Sequence, residues 1–500
     1  MSAPDITALL PLITMAAAPV VVMMVIAFYR NHTLTVALTM AGLAIAFSML
    51  LVTSPLLPRQ VTPLIFVDRY AFFFMALLFT ASFFVVLLSY GYFAARPGRH
   101  DEFYVLLLIA TFGSAVLVSS SHFVSFFLGL ELLGISLYSL IAYQRTDRYG
   151  NEAGIKYLIL AAVSSAFLLF GMALVYAQLG TMQFVRIAGE AAGLSGSSLS
   201  LLAGFALIIV GVGFKLALVP FHMWSPDVYE GAPAPVSAFI ATVSKGAVFA
   251  LLLRYFSIVN IHQFPAIVMV FTIIAVASML VGNLLALAQN NIKRILAYSS
   301  IAHLGYVLVA FIAGGSAAIT AASYYLAAYF VTILGAFGII SVLSSSGRGV
   351  RDADTLDEYR GMAWRRPWLA GMLTLVLLSL AGIPMTAGFM GKFLVVSAGA
   401  GSTLWLLLVV LAVSSSIGLY YYLRIVTVLY ARVPAQVPAK APAKVPAKAL
   451  DELEMPPAVP RLSLSGGTVL LVLALLLIWL GVYPSPLLRL IKATAAKLVY

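Results

Sequence analysis

The chain is 500 residues long, 63% hydrophobic and only 9% charged, with a mean hydropathy of +1.06. No water-soluble fold has that balance, so the sequence describes a polytopic membrane protein, and its net charge of +12 reports topology rather than nucleic-acid binding. It has no cysteine, which excludes iron–sulfur clusters, thiolate metal sites, disulfides and cysteine nucleophiles on this chain.

Apolar stretches of about 20 residues, enough to cross a bilayer, occur at 8–29, 33–53, 71–93, 103–119, 122–143, 155–177, 201–224, 235–257, 265–288, 295–313, 318–345, 368–398, 403–430 and 466–488. The chain is therefore read as all-α, with about fourteen transmembrane helices. Its least marked boundary is the tight Ser119-Ser120-Ser121-His122 junction. The first run, from Leu9 to Tyr29, lacks the short apolar core and cleavage site of a signal peptide and is kept as a helix. One set of alternate loops holds most of the basic residues, including Arg30, Arg96, Arg99, Arg145, Lys293, Arg294, Arg360 and Arg432. The other holds only Arg59, Arg69, Arg186, Arg489, Lys492 and Lys497. The positive-inside rule makes the first set cytoplasmic and puts both termini outside. Arg254 and Arg424, near span ends, read as snorkelling side chains. The loop from Ser344 to Pro367 reads as a solvated docking surface. The repeat VPAQVPAKAPAKVPAK, from Val433 to Lys448, reads as an extended, solvated tether.

The seventh span, FKLALVPFHMW, and the twelfth, LSLAGIPMTAGFMGKF, each carry a proline in the apolar interior, Pro220 and Pro384. Proline removes a backbone donor and disfavours helix before it. In hydrocarbon such a break is tolerated only where the freed carbonyls meet protein or a water-filled cavity. LALVP (216–220) and LAGIP (380–384) also echo each other at a stride of five spans. An odd stride inverts the second copy, and inverted repeats with discontinuous helices at matching positions are a transporter signature.

Glu131, Lys215, Lys245 and Lys392 lie inside apolar spans. A charge there costs roughly 2.5–3.5 kcal/mol on insertion scales and usually marks an ion or proton path. Burial lowers a lysine's proton affinity and a nearby carboxylate restores it, so a Glu with one Lys beside a second Lys can toggle near neutral pH. His222 and His303, in the seventh and tenth spans, can bridge water chains. Lys156 lies at the cytoplasmic mouth of the sixth. The competing readings are static salt bridges for the lysines and Glu131, hydrogen-bonded packing for the histidines, and snorkelling for Lys156. Four midplane charges in one chain favour proton translocation.

The segments ELLGISLYSLIAY, GVGFKLALVPFHMWSPDVYEGAPAPVSAFIATVSK, NNIKRILAYSSIAHLGY and SLAGIPMTAGFMGKF resemble the antiporter-like membrane subunits of respiratory complex I, the proton-pumping NADH–quinone oxidoreductase. The resemblance runs from about Asp101 to Arg432, and GAPAPVSAF before Lys245 with Lys at 392 points to one branch of that family. It implies accessory helices over 1–100, a five-helix repeat over 101–258, an inverted second repeat over 265–432, a linker at 433–463 and a last helix in 464–500. It further implies a Glu131–Lys215 pair, Lys245 linking that half to Lys392 at an exit half-channel, and His222 and His303 in the joining water chain. NADH, FMN, iron–sulfur clusters and quinone then belong to partner subunits, and none to this chain. The partners implied are other membrane-arm subunits, including sister antiporter-like ones, in a bacterial inner (plasma) membrane. Two alternatives stand beside it: a subunit of a multi-chain Mrp-type cation/proton antiporter, and a structural spacer without transport.

Overall fold

The computed structural model describes residues 2–193, 198–345, 351–432 and 464–495. The expected tether at 433–448, within the 433–463 linker, lies outside the described residues. The chain is nearly all helical. In order come α1 (Ala3–Ala8), α2 (Leu10–Phe28), α3 (His32–Thr53), a hairpin of β1 (Arg59–Thr62) and β2 (Ile65–Val67), α4 (Arg69–Ala94), α5 (Asp101–Val118) and α6 (Phe123–Ile141). Next are α7 (Arg148–Leu179), α8 (Phe184–Gly193), α9 (Leu199–Leu216), α10 (Trp224–Gly231), α11 (Ala234–Phe239), a π-turn at Ile240–Ser244 and α12 (Lys245–Val259). The second half holds α13 (Pro265–Leu287), α14 (Ile292–Ala313), α15 (Gly315–Ser345), α16 (Met362–Arg365), α17 (Pro367–Ala381), α18 (Ala387–Gly401) and α19 (Trp405–Tyr430). After the gap follow α20 (Leu464–Val482) and α21 (Ser485–Ala495).

Local chemistry sets many of the helix starts. Asn31, Asp68, Asp147, Asn291 and Thr386 each accept from a backbone N–H in the first turn of α3, α4, α7, α14 and α18, satisfying donors that would otherwise be orphaned. Pro265 and Pro367 open α13 and α17, where the missing N–H costs nothing. Among the described residues, twelve helices are long and apolar enough to cross a membrane, and thirteen if α20 and α21, bent by 79°, count as one. The expected twelfth span is instead the two shorter helices α17 and α18. The Ser119 junction is a true boundary, because α5 stops at Val118 and α6 begins at Phe123.

The two breaks are built alike. α9 ends as Ala217 turns left-handed (φ 57°), and Leu218 N–H returns to the Gly213 carbonyl at 2.8 Å. α17 ends as Gly382 turns left-handed (φ 84°), and Ile383 N–H returns to Leu378 at 3.0 Å. Both wrap the chain back over the last turn and so satisfy carbonyls that hydrocarbon cannot. The turn falls one position later in LAGIP than in LALVP, where a glycine takes it. The exposed carbonyls are used as well: Trp224 Nε1 donates to Phe214 at 2.8 Å and Ser164 Oγ to Gly211 at 3.1 Å.

Two spans, α11 through α12 and α14, are buried along their whole apolar length, while α2, α3 and α19 expose most of theirs. Lys245 and His303 thus lie on the most enclosed helices, and lipid-facing helices surround them.

Candidate functional site

The first group sits where α6, α7 and α9 meet. Glu131 on α6 is half-buried and its Oε1 accepts from Ser165 Oγ of α7 at 2.6 Å. Lys215, in the last turn of α9, is buried, and its Nζ has no hydrogen-bond partner among the described residues. The ammonium lies 5.7 Å from the Tyr157 ring centre, over its face, and tight against Gly134. Glu131 is within electrostatic reach of Lys215, but the two form no direct ion pair, because the carboxylate is turned to Ser165. The Glu131–Lys215 pair implied by the resemblance shares this site without a salt bridge between the two.

Lys245 opens α12 directly after the π-turn, an irregularity frequent at functional positions. It is 1% exposed, with no carboxylate partner, and its Nζ donates to Ser300 Oγ of α14 at 2.7 Å. The Tyr229 ring centre lies 5.1 Å from the ammonium, which the aromatic face favours. The neighbouring Ser299 bonds the Tyr422 hydroxyl at 2.5 Å, and Tyr422 also meets His303 Nε2 at 3.2 Å. His303 Nδ1 bonds the Tyr325 hydroxyl at 2.7 Å, so both ring nitrogens carry a hydroxyl partner. A small cavity, lined by His303, Tyr325, Tyr329, Thr332, Ser379 and Gly388 among others, runs from this histidine to the α17–α18 break.

Lys392, half-buried on α18, points back across that break. Its Nζ donates to the carbonyls of Leu380 and Ala381, at 3.0 and 2.9 Å, and to Ser415 Oγ at 2.7 Å. A cation is thus held on the carbonyl end of α17, where the helix dipole favours it. Tyr306, whose ring centre is 5.3 Å from Nζ, continues the polar line through Asn283, at 2.8 Å, and Ser414, at 3.2 Å.

Lys245, His303 and Lys392 all meet α14, through Ser300, His303 itself and the Tyr306 ring respectively, while Glu131 and Lys215 share a second site. His222 is buried in the first break, and among the described residues its Nδ1 has no hydrogen-bond partner and no hydrogen bond joins it to either group. Lys156 is exposed at the helix mouth and pairs with Glu152 at 2.8 Å and Asp227 at 2.9 Å, so it neither snorkels alone nor reaches Lys215. Ser165, Ser299, Ser300, Tyr325, Tyr422 and Ser415 were not singled out in the sequence. Their signal was available only in part, as hydroxyls clustered in apolar spans such as AYSSIAHLGY.

The structure also places Arg254, Arg424 and the loop after α15. Arg254 does not snorkel: it is 1% exposed and donates to Asp68 at 2.6 Å. Arg424 donates to the Leu287 and Gln289 carbonyls at the end of α13, at 2.9 and 3.0 Å. The loop after α15 is not simply a solvated surface, since Asp352 is buried between Lys293 (2.9 Å), Arg96 (3.1 Å) and the Tyr92 hydroxyl (2.7 Å). Burial pushes the Asp352 carboxyl up, but Lys293 and Arg96 outweigh it and hold it below the usual carboxylate range.

A helical membrane bundle with two interrupted helices and lysines inside its spans has the architecture of an antiporter-like membrane subunit. Residues 120–418 match the family described as NADH:quinone oxidoreductase/Mrp antiporter, transmembrane, and the chain belongs to it. A protein named NADH-quinone oxidoreductase subunit N, from Nitrosospira multiformis, is 53% identical over 99% of this chain and 97% of its own length. A chain of respiratory complex I from Thermus thermophilus with bound aureothin is 31% identical, with a TM-score of 0.78 over 96% of this chain and 98% of that one. A chain of the Mrp complex from Dietzia sp. superimposes at a TM-score of 0.83 over 100% of this chain and 98% of that one, but at 20% identity it shows the fold alone.

Proposed function

We propose that this chain is subunit N of a bacterial NADH–quinone oxidoreductase and translocates protons through its buried lysines. The observation that carries the mechanism is Lys245: an ammonium 1% exposed, without a carboxylate partner among the described residues and held by one serine hydroxyl of α14, the helix that also carries His303 between two tyrosine hydroxyls. A change of charge on Lys215 or Lys392 biases the charge of Lys245 through weakly screened Coulomb forces. The Glu131 carboxylate rests on Ser165, so its movement toward Lys215 would switch that lysine. His222 at the first break and Lys156 at the mouth serve the same path through water.

Moving one charge against 100 mV takes roughly 2.3 kcal/mol. In this reading NADH, flavin, clusters and quinone on partner subunits supply it, and sister antiporter-like subunits flank the chain. The accessory helices of 1–100, the inverted repeats of 101–258 and 265–432, the linker and the last helix form the working plan. The excess of arginine and lysine in one set of loops supports an inner-membrane placement with those loops cytoplasmic and both termini periplasmic. An Mrp-type antiporter subunit is the second reading, favoured by the shared fold. The lysine-dominated midplane, with Glu131 as its one strong carboxylate, favours protons over sodium.

The test is NADH-driven proton pumping by membrane vesicles bearing Lys215→Ala or Lys245→Ala, with assembly followed on a native gel. Assembled complexes that have lost most of their pumping are expected. Full pumping from either assembled variant would reduce that lysine to a packing role and restore the spacer reading.

A further inference from the structure

A second charged cavity lies apart from the lysine path, among the loops of the arginine-rich set. It measures about 950 Å³ and is framed by the end of α4, the start of α5 and the end of α6. Four guanidinium groups line it, Arg30, Arg96, Arg99 and Arg145, against one carboxylate, Glu102. Arg30 is matched by Glu102 at 3.0 Å and Arg96 is shared with Asp352 at 3.1 Å. Arg99 and Arg145 have no carboxylate partner among the described residues. His100 stands in the same wall with both ring nitrogens buried and no hydrogen bond completed, although the Arg96 and Pro97 carbonyls lie near. Two guanidinium groups without a carboxylate partner make a donor set suited to a phosphate.

The surroundings say which phosphate. α2 ends at Phe28 and Tyr29, 87% and 59% exposed, immediately before Arg30. Val20, Val21, Met23 and Met24 continue an exposed apolar strip along the same helix. An anion held here sits at the rim of a lipid-facing helix.

We propose that this cavity binds the headgroup of an anionic phospholipid, with Arg99 and Arg145 on the phosphate and the acyl chains along the exposed strip of α2. Basic pockets at helix ends on the cytoplasmic side take such headgroups, and juxtamembrane basic residues add to the attraction one by one. The assignment stands whether or not the lysine path carries protons, because its readout is lipid contact and not pumping.

The test uses the intact complex in phosphatidylcholine nanodiscs containing phosphatidylglycerol with a photoreactive group near its headgroup. Labelled peptides from the segments 94–106 and 139–147 are expected, with competition by unlabelled phosphatidylglycerol but not by phosphatidylcholine or inorganic phosphate. The Arg99→Gln/Arg145→Gln double variant should lose labelling about thirty-fold, and Arg99→Lys/Arg145→Lys should keep most of it. Unchanged labelling in the glutamine pair overturns the proposal. So does equal competition by inorganic phosphate, which marks a free-anion site, and so does absence of labelling in the unmodified complex, as when a neighbouring subunit fills the cavity. Should the glutamine pair fail to assemble, the unmodified complex and its competition pattern still decide.

Discussion

At the residue scale, Ser300 holds the Lys245 ammonium at 2.7 Å, and no other hydrogen bond to that nitrogen exists among the described residues. Removing the acceptor leaves a buried charge without its partner, at about 1–3 kcal/mol. Ser300→Ala is therefore expected to lower NADH-driven pumping at least several-fold in an assembled complex, with Ser300→Thr largely preserving it; equal pumping by the alanine variant would remove Ser300 from the path. Tyr422 offers a complementary test, because its hydroxyl alone joins Ser299 to His303. Tyr422→Phe keeps the ring and its packing, so slowed pumping with normal stability is expected, and an unchanged pumping rate would show that protons bypass this hydroxyl. The lysines were legible from the sequence because a charge among apolar residues declares itself. The serine and tyrosine partners were not, because hydroxyls occur throughout transmembrane helices and only packing selects those that face a lysine.

At the element scale, the second break depends on how closely α18 approaches the end of α17. Gly388 N–H donates to Ser379 Oγ at 3.1 Å, and a Cβ at Gly388 would stand 1.9 Å from the Ser379 carbonyl oxygen. That atom is backbone and cannot yield, so Gly388→Ala must displace one helix end from the other, at typically 1–3 kcal/mol for overpacking. Lys392 would then lose its seat on the Leu380 and Ala381 carbonyls. A lowered thermal midpoint of the detergent-solubilised complex, with reduced pumping, is expected; a midpoint equal to that of the unmodified complex would mean that the contact is looser than its geometry indicates. The prolines pointed to both breaks, but the left-handed turns at Ala217 and Gly382 fall three and two residues before them. The break is thus a helix ending in its own cap, and the proline lies in the segment that follows.

At the scale of the whole molecule, Asp352 ties together parts distant in the chain: Tyr92 in the last turn of α4 and Arg96 just beyond it, Lys293 at the start of α14, and its own loop beyond α15. Lys293 also donates to the Glu230 and Ala232 carbonyls, at 2.8 and 2.7 Å, which brings in the segment between α10 and α11. Asp352→Asn leaves two buried cations uncompensated, and breaking such a group costs about 3–5 kcal/mol. Because the folded carboxyl titrates below its ordinary 3.8, its stabilisation is complete above that value and fades as pH falls through the lower, folded one. The thermal midpoint of the unmodified complex should exceed that of Asp352→Asn at neutral pH, with the gap closing only under acid conditions below about pH 4. A gap already closed at pH 6 would contradict this assignment.

By itself, the sequence determined that the chain is a helical membrane protein, roughly where its spans lie, which two of them break and which lysines stand inside. Apolar length, proline and isolated charge act locally and survive in one dimension. Only the tertiary structure decided that Glu131 turns to Ser165 and not directly to Lys215, that Arg254 is buried on Asp68, and that Asp352 is a buried anchor. Each of those outcomes depends on which side chain a neighbouring helix brings within hydrogen-bond distance. In a bundle where nearly every helix is apolar all round, no periodicity along the chain marks which face will meet which.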